Sequence, residues 1–203
     1  MRWADLLIFN TSREVLDFLL QNRFRVIGTL DPVETPREHS EKLIIVKRRF
    51  LEDIDKVFPS REYLVAFKPR DVESARRAGR IDHPISIVFD EENIDLCTRE
   101  QLVVMRGKRV FIEILARAVL YDEYLPRFMR YAKTCIRRAL VEGIDVVLSS
   151  GARNLEEAFS PGAFRVLERY LTGIRGSLTY SWFRVLEKWR EDLVKRIDAS
   201  EER

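Results

Sequence analysis

Cations and small hydroxyls recur directly after the apolar runs of this chain, a pattern suited to a phosphate-binding rim. Lys47, Arg48 and Arg49 follow Leu43–Val46, and Lys68 and Arg70 follow Tyr63–Phe67. Arg117 follows the run that ends at Leu115, and Ser149, Ser150, Gly151 and Arg153 follow Ile144–Leu148. Guanidinium and ammonium groups neutralise phosphate, while hydroxyls and turn N–H groups hydrogen-bond it. Any one of these side chains could equally be a solvated surface group, since Arg and Lys are commonly exposed. Most of the basic residues are Arg, which fits either bidentate phosphate recognition or a salt-bridged exterior.

Other chemistry is thinly supplied. The two histidines, His39 and His83, stand apart and belong to no HxH or HExxH pattern, and no DxD-like cluster marks a strand end, so no metal site is expected. Ser149 and Ser150 lack a GxSxG elbow and a His partner, and no glycine-rich phosphate or dinucleotide fingerprint follows the first strand. No cofactor is implied. Glu113 lies inside an apolar run, either as a buried base or as a structural carboxylate paired with Arg117 or Arg109, because a buried charge needs a partner. Cys97 and Cys135 have no CxxC spacing, which suggests neither zinc nor a disulfide framework and fits a reducing, cytoplasmic compartment.

The elements that must position these groups alternate. Strands are expected at Trp3–Phe9, Phe24–Gly28, Leu43–Val46, Tyr63–Phe67, Pro84–Phe89, Arg109–Leu115 and Ile144–Leu148. Helices are expected at Arg13–Gln21 behind Ser12, Leu51–Val57, Asp71–Ala78, Asn93–Met105, Tyr124–Glu142, Pro161–Leu171 and Tyr180–Ile197. Asp31–Ser40, with Pro32 and Pro36, reads as an irregular connection, and Gly173–Gly176 leaves room for a residual eighth strand. Strands that are apolar throughout, alternating with helices, imply a parallel sheet buried on both faces. Short connections favour a compact or incomplete (β/α) TIM-like barrel over an open sheet, although ~250 residues is the usual size of the complete form. At 203 residues one domain is expected, spanning 1–198, with 199–203 a frayed charged tail. The first apolar run, Leu6–Phe9, is too short for a signal segment, and no run reaches the ~18 apolar residues of a membrane span. The 36 basic and 33 acidic residues nearly cancel, so any nucleic-acid footprint must lie in their distribution.

Three segments, Val110–Leu120 (VFIEILARAVL), Arg127–Lys133 (RFMRYAK) and Val146–Ala152 (VVLSSGA), resemble in order and spacing the protein component 3 family of archaeal and eukaryal ribonuclease P. The likeness extends from about Arg61 to about Gly173. It implies an incomplete barrel related to the polymerase-and-histidinol-phosphatase fold without that fold's metal ligands. It also implies a non-catalytic, RNA-binding subunit of an endoribonuclease that removes 5′ leaders from precursor tRNA, the active site being carried by the RNA. The implied partners are ribonuclease P RNA, precursor tRNA, protein component 2 and other protein subunits. On the same grounds Arg117, Ser149, Ser150 and Lys133 are assigned to an RNA-facing rim, joined by Lys47, Arg48, Lys68, Arg70 and Arg153 from the strand-end pattern. Where the family often places an Arg ahead of the next helix's Pro, this chain has Phe159, with Arg153 as the nearby substitute.

Two further readings follow from the residues. A barrel enzyme acting on a phosphorylated small molecule would grip phosphate with Ser149, Ser150 and Gly151 and use Glu113 or Lys47 as base. An assembly protein without RNA contact would dock through a helix face, with Trp182, Phe183 and Trp189 on the last helix either forming that face or packing in the core.

Overall fold

The structure, a computed structural model, describes residues 3–30, 43–173, 178 and 181–191. The strands are β1 (Trp3–Ile8), β2 (Phe24–Thr29), β3 (Ile44–Leu51), β4 (Leu64–Phe67), β5 (Ile85–Phe89), β6 (Phe111–Leu115) and β7 (Val146–Ser149). The helices are α1 (Arg13–Gln21), α2 (Val72–Gly79), α3 (Arg99–Met105), α4 (Leu125–Val141), α5 (Pro161–Thr172) and α6 (Ser181–Trp189). All seven strands are parallel and lie side by side in chain order.

The two edges of this sheet approach each other, so it is nearly a closed barrel. Gly151 N–H donates to the Leu7 carbonyl (2.9 Å), and the N–H groups of Phe9 and Asn10 donate to the Ala152 carbonyl (2.9 and 3.2 Å). These bonds satisfy backbone groups that an open edge would leave unpaired. Helix ends carry the caps their sequences announce. Ser160 accepts from Ala163 N–H ahead of Pro161, Gly173 ends α5 with φ 76°, and Asp71 and Ser74 form a reciprocal box at the start of α2.

Strand residues alternate between the helix-covered exterior and the barrel interior. The interior fills in three layers. At the amino ends of the strands, Ala4, Leu6, Val26, Val46, Leu64, Phe111 and Val147 pack on Trp182, Val185 and Leu186 of α6, which plugs that mouth. Toward the carboxyl ends, Leu7, Ala66, Val88 and Leu115 meet Phe9, Leu30 and Phe50. Between them lies a polar layer of Arg48, Ser86, Glu113 and Ser149. Gly28 makes this arrangement possible, since a Cβ there would fall 1.8 Å from the Leu6 carbonyl oxygen. That same oxygen accepts a hydrogen bond from Arg48 Nη1 (2.8 Å).

Four sequence expectations are corrected. The third strand does not stop at Val46 but runs to Leu51, so Lys47, Arg48 and Arg49 lie within it. The helix expected at Leu51–Val57 is only a 3-10 turn, Ile54–Lys56, because the strand consumes its first residue and Pro59 closes what remains. The helix expected at Asn93–Met105 is divided into a 3-10 turn, Ile94–Leu96, and α3. Finally, Cys97 and Cys135 form a disulfide, with Cα atoms 5.8 Å apart. Spacing hid it because Cys97 ends that turn while Cys135 sits on the buried face of α4, and only the fold brings them together. The inference of a reducing compartment from cysteine usage loses its footing.

The last helix settles in favour of core packing: Trp182 is buried, and Phe183 and Trp189 pack against the same cluster, with Trp189 Nε1 donating to the Ser60 carbonyl (2.9 Å). The connection at 31–40, the eighth-strand segment at 174–176 and the tail at 199–203 lie outside the described residues. Among the described residues no helix is long and apolar enough to cross a membrane.

Candidate functional site

The inward turn of β3 decides the fate of Arg48. Its side chain is fully buried and ion-paired to Glu113 (2.5 Å), and Nη2 also donates to Ser86 Oγ (2.7 Å). Ser149, at the end of β7, donates its hydroxyl to the other Glu113 oxygen (2.5 Å). The partner of Glu113 is therefore Arg48, not Arg117 or Arg109. A buried ion pair persists only when its remaining hydrogen-bonding capacity is met, and here two serines and the Leu6 carbonyl meet much of it. Arg48 stands beneath the barrel mouth rather than on its rim.

Ser150 is likewise buried and holds the seam between the sheet edges. Its N–H donates to the Asp5 carboxylate (2.9 Å), and its hydroxyl accepts from Ala152 N–H (3.1 Å). Burial pushes the Asp5 pKa from 3.8 up to about 7, opposed by hydrogen bonds from Ser150 and reinforced by the neighbouring Glu113.

Arg117 lies in the 3-10 turn after β6, Ala116–Leu120, where its N–H donates to the Ser150 carbonyl (3.0 Å). Its guanidinium is buried, 3.2 Å from Glu91 and 3.6 Å from Asp90, and lies 5.6 Å over the Phe9 ring. Lys68 reaches Asp90 (2.7 Å) and also bonds Glu92. Burial alone would lower the Lys68 pKa, but these two carboxylates raise it, and Lys68 in turn holds Glu92 below the usual carboxylate range. Asn93 fixes the acidic turn by accepting from Asp90 N–H and donating to the Pro69 and Val88 carbonyls. Arg153 is exposed, its guanidinium 6.0 Å from the Phe9 ring and its N–H bound to Glu157 (2.9 Å). Tyr121 hydroxyl donates to Glu157 as well (2.5 Å).

The mouth of the barrel thus gathers Arg117 and Lys68 and neutralises them with Asp90, Glu91 and Glu92, while the exposed Arg153 guanidinium beside them has no ion-pair partner among the described residues. Of the basic rim expected from the strand-end pattern, Lys68 and Arg117 are compensated within the fold. Asp90, Glu91 and Glu92 were missed although they too directly follow a strand, at Phe89. The strand-end rule that selects the cations selects these carboxylates equally.

Of the other expected residues, Lys47 is exposed on β3, 3.8 Å from Glu62, and Arg70 is exposed with Glu52 at 2.5 Å. Lys133 lies elsewhere, on the outer face of α4, with its ammonium 5.7 Å over the Tyr170 ring. Phe159, ahead of the Pro that opens α5, is buried against Phe164 with ring centroids 5.4 Å apart. Among the described residues no group of three His, Cys, Asp or Glu side chains converges as metal ligands would.

No protein-family model matches the chain, and no curated protein matches it. Among solved structures, it is similar to a chain in the cryo-EM structure of archaeal ribonuclease P with mature tRNA. The two chains are 14% identical, the match covers 98% of this chain and 91% of that one, and the TM-score is 0.65. At that identity the likeness is one of fold, and it extends over nearly the whole barrel.

Proposed function

We propose that this chain is a protein subunit of a ribonuclease P-type particle, of the protein component 3 kind. In this reading it binds and orders the catalytic RNA that removes 5′ leaders from precursor tRNA, and performs no chemistry itself. The observation that carries the proposal is the near-complete fold likeness to a chain of archaeal ribonuclease P. Protein component 2 and the other subunits are its expected neighbours, and the cytoplasm its expected compartment.

The barrel interior supports a non-catalytic role. A reacting group must be reachable by substrate, yet Glu113, Ser149 and Ser150 have no exposed surface and are committed to hydrogen bonds within the fold. The groups that an enzyme acting on a phosphorylated small molecule would need are therefore already used, and Lys47 lies outside on the barrel wall.

The test is reconstitution of precursor tRNA cleavage at low magnesium by cognate ribonuclease P RNA and protein component 2, with and without this chain. Cleavage that requires the chain supports the assignment. Equal cleavage and equal RNA affinity in its absence would end it.

A further inference from the structure

The barrel mouth offsets Lys68 and Arg117 with its own carboxylates, and the charge distribution singles out another surface. Helices α4 and α5 carry seven cations and one carboxylate, Glu168, which is buried and accepts the Leu178 N–H (2.5 Å). Seven cations against one carboxylate exceed the net charge of the whole chain, +3, so the remainder is net acidic. Cations on the rest of the surface are mostly paired, as Arg70, Arg77, Arg106 and Lys188 are. On α4 and α5, Arg127 alone is ion-paired among the described residues, to Asp95 (2.6 Å).

The free cations are also aligned. Arg130, Lys133 and Arg137 are exposed and recur at intervals of three and four residues, which sets them along one stripe spanning ~10 Å of helix. Arg169 on α5 is exposed as well. Two aromatic rings stand among them: Tyr131, 5.2 Å from the Arg130 guanidinium, and Tyr170, 63% exposed beneath Lys133. A cation over an exposed ring gains little from that contact, which leaves the charge without a carboxylate and most of the Tyr170 ring open to solvent. Both suit RNA, whose phosphates pair with the cations and whose unstacked bases stack on the rings.

The helix beneath is firmly set. Phe128, Ala132, Ile136 and Ala139 bury its inner face, and Cys135 ties that face covalently to Cys97. The cations thus project from a fixed support, so little backbone ordering remains to oppose binding.

We infer that the outer face of α4 and α5, rather than the barrel mouth, is the RNA-binding surface of this chain, taking phosphates along Arg130, Lys133 and Arg137 and stacking bases on Tyr170. The inference rests on the proposed reading of the chain as an RNA-binding subunit. An acidic protein partner would use the same charges but would not need an exposed ring beside them.

The experiment compares the full chain with the triple variant Arg130→Ala, Lys133→Ala, Arg137→Ala and with Tyr170→Ala. Binding of a fluorescein-labelled precursor tRNA transcript is followed by anisotropy over a potassium chloride series. The triple variant should lose about tenfold or more in affinity, with the slope of log affinity against log salt reduced by about 0.7 to 0.9 for each phosphate contact removed. Tyr170→Ala should weaken binding by about tenfold with the slope unchanged. A triple variant that melts like the parent yet keeps its affinity and slope overturns the inference. So does loss of both on replacing Lys47, Arg70 and Arg153 by Ala instead. If the chain supports cleavage while the triple variant keeps its RNA affinity, the surface assignment alone falls. If the triple variant loses affinity while the chain does not support cleavage, the surface stands and the ribonuclease P assignment falls.

Discussion

Replacing Asp5 by Asn should make the protein's stability less sensitive to pH, because Asp5 is a carboxylate sealed into the seam of the barrel. Unfolded, it ionises near 3.8, and folded, near 7. Below pH 3.8 both states hold the proton and nothing is lost. Between the two values the unfolded chain releases the proton while the folded chain retains it, so stability declines by about 1.4 kcal/mol per pH unit. The decline ends above the folded value, for a total of roughly 4 kcal/mol, of which about 3 kcal/mol falls between about pH 5 and 8. The substituted amide would keep an oxygen to accept Ser150 N–H but carry no charge beside Glu113. Urea unfolding of both proteins at a series of pH values measures the difference. The stability of Asp5→Asn relative to the parent should rise by about 3 kcal/mol from about pH 5 to pH 8, equivalent to a relative Tm gain of about 6–12 °C for a domain of this size. A difference between the two proteins that does not change with pH would refute the reasoning.

The polar layer and the disulfide give further expectations. Arg48→Met should destabilise by about 3–5 kcal/mol in urea titrations by stranding the Glu113 charge, and Arg48→Met with Glu113→Leu should recover much of that loss. Removing the Cys97–Cys135 link, which spans 38 residues, frees the unfolded chain and should lower stability by about 4 kcal/mol. The double Ala variant should therefore melt about 8–16 °C lower than the oxidised parent, and a reductant should lower the parent's melting point but not the variant's.

The parallel, sequential barrel was legible because its signals are local: apolar runs of strand length, helical spacing between them, and caps such as Ser12 and Ser160. Segment 47–49 misled for a physical reason. Three consecutive cations look like the end of a strand, yet Arg48 points inward to a carboxylate 65 residues later, and no local pattern reports a partner so distant. The carboxylates at the mouth escaped notice for a different reason. Strand-end residues were located correctly for β4, β6 and β7, but charge was read one sign at a time, so the carboxylates after β5 went uncounted. Lys133 came from resemblance, and the surrounding stripe of Arg130, Arg137 and Tyr170 follows from helical periodicity once α4 is known to bury its other face.

The joining of β1 to the end of β7 has a consequence for synthesis. Leu7 and Gly151 leave the ribosome 144 positions apart, about 7–30 s at ordinary elongation rates. Throughout that interval the first strand has no second neighbour, and Arg48 waits for Glu113. The α6 plug arrives later still. A nascent chain therefore carries an unpaired strand edge and an unfilled mouth for most of its production, and closure of the barrel, with its high sequence separation, is the step in which it is most exposed to capture by other chains.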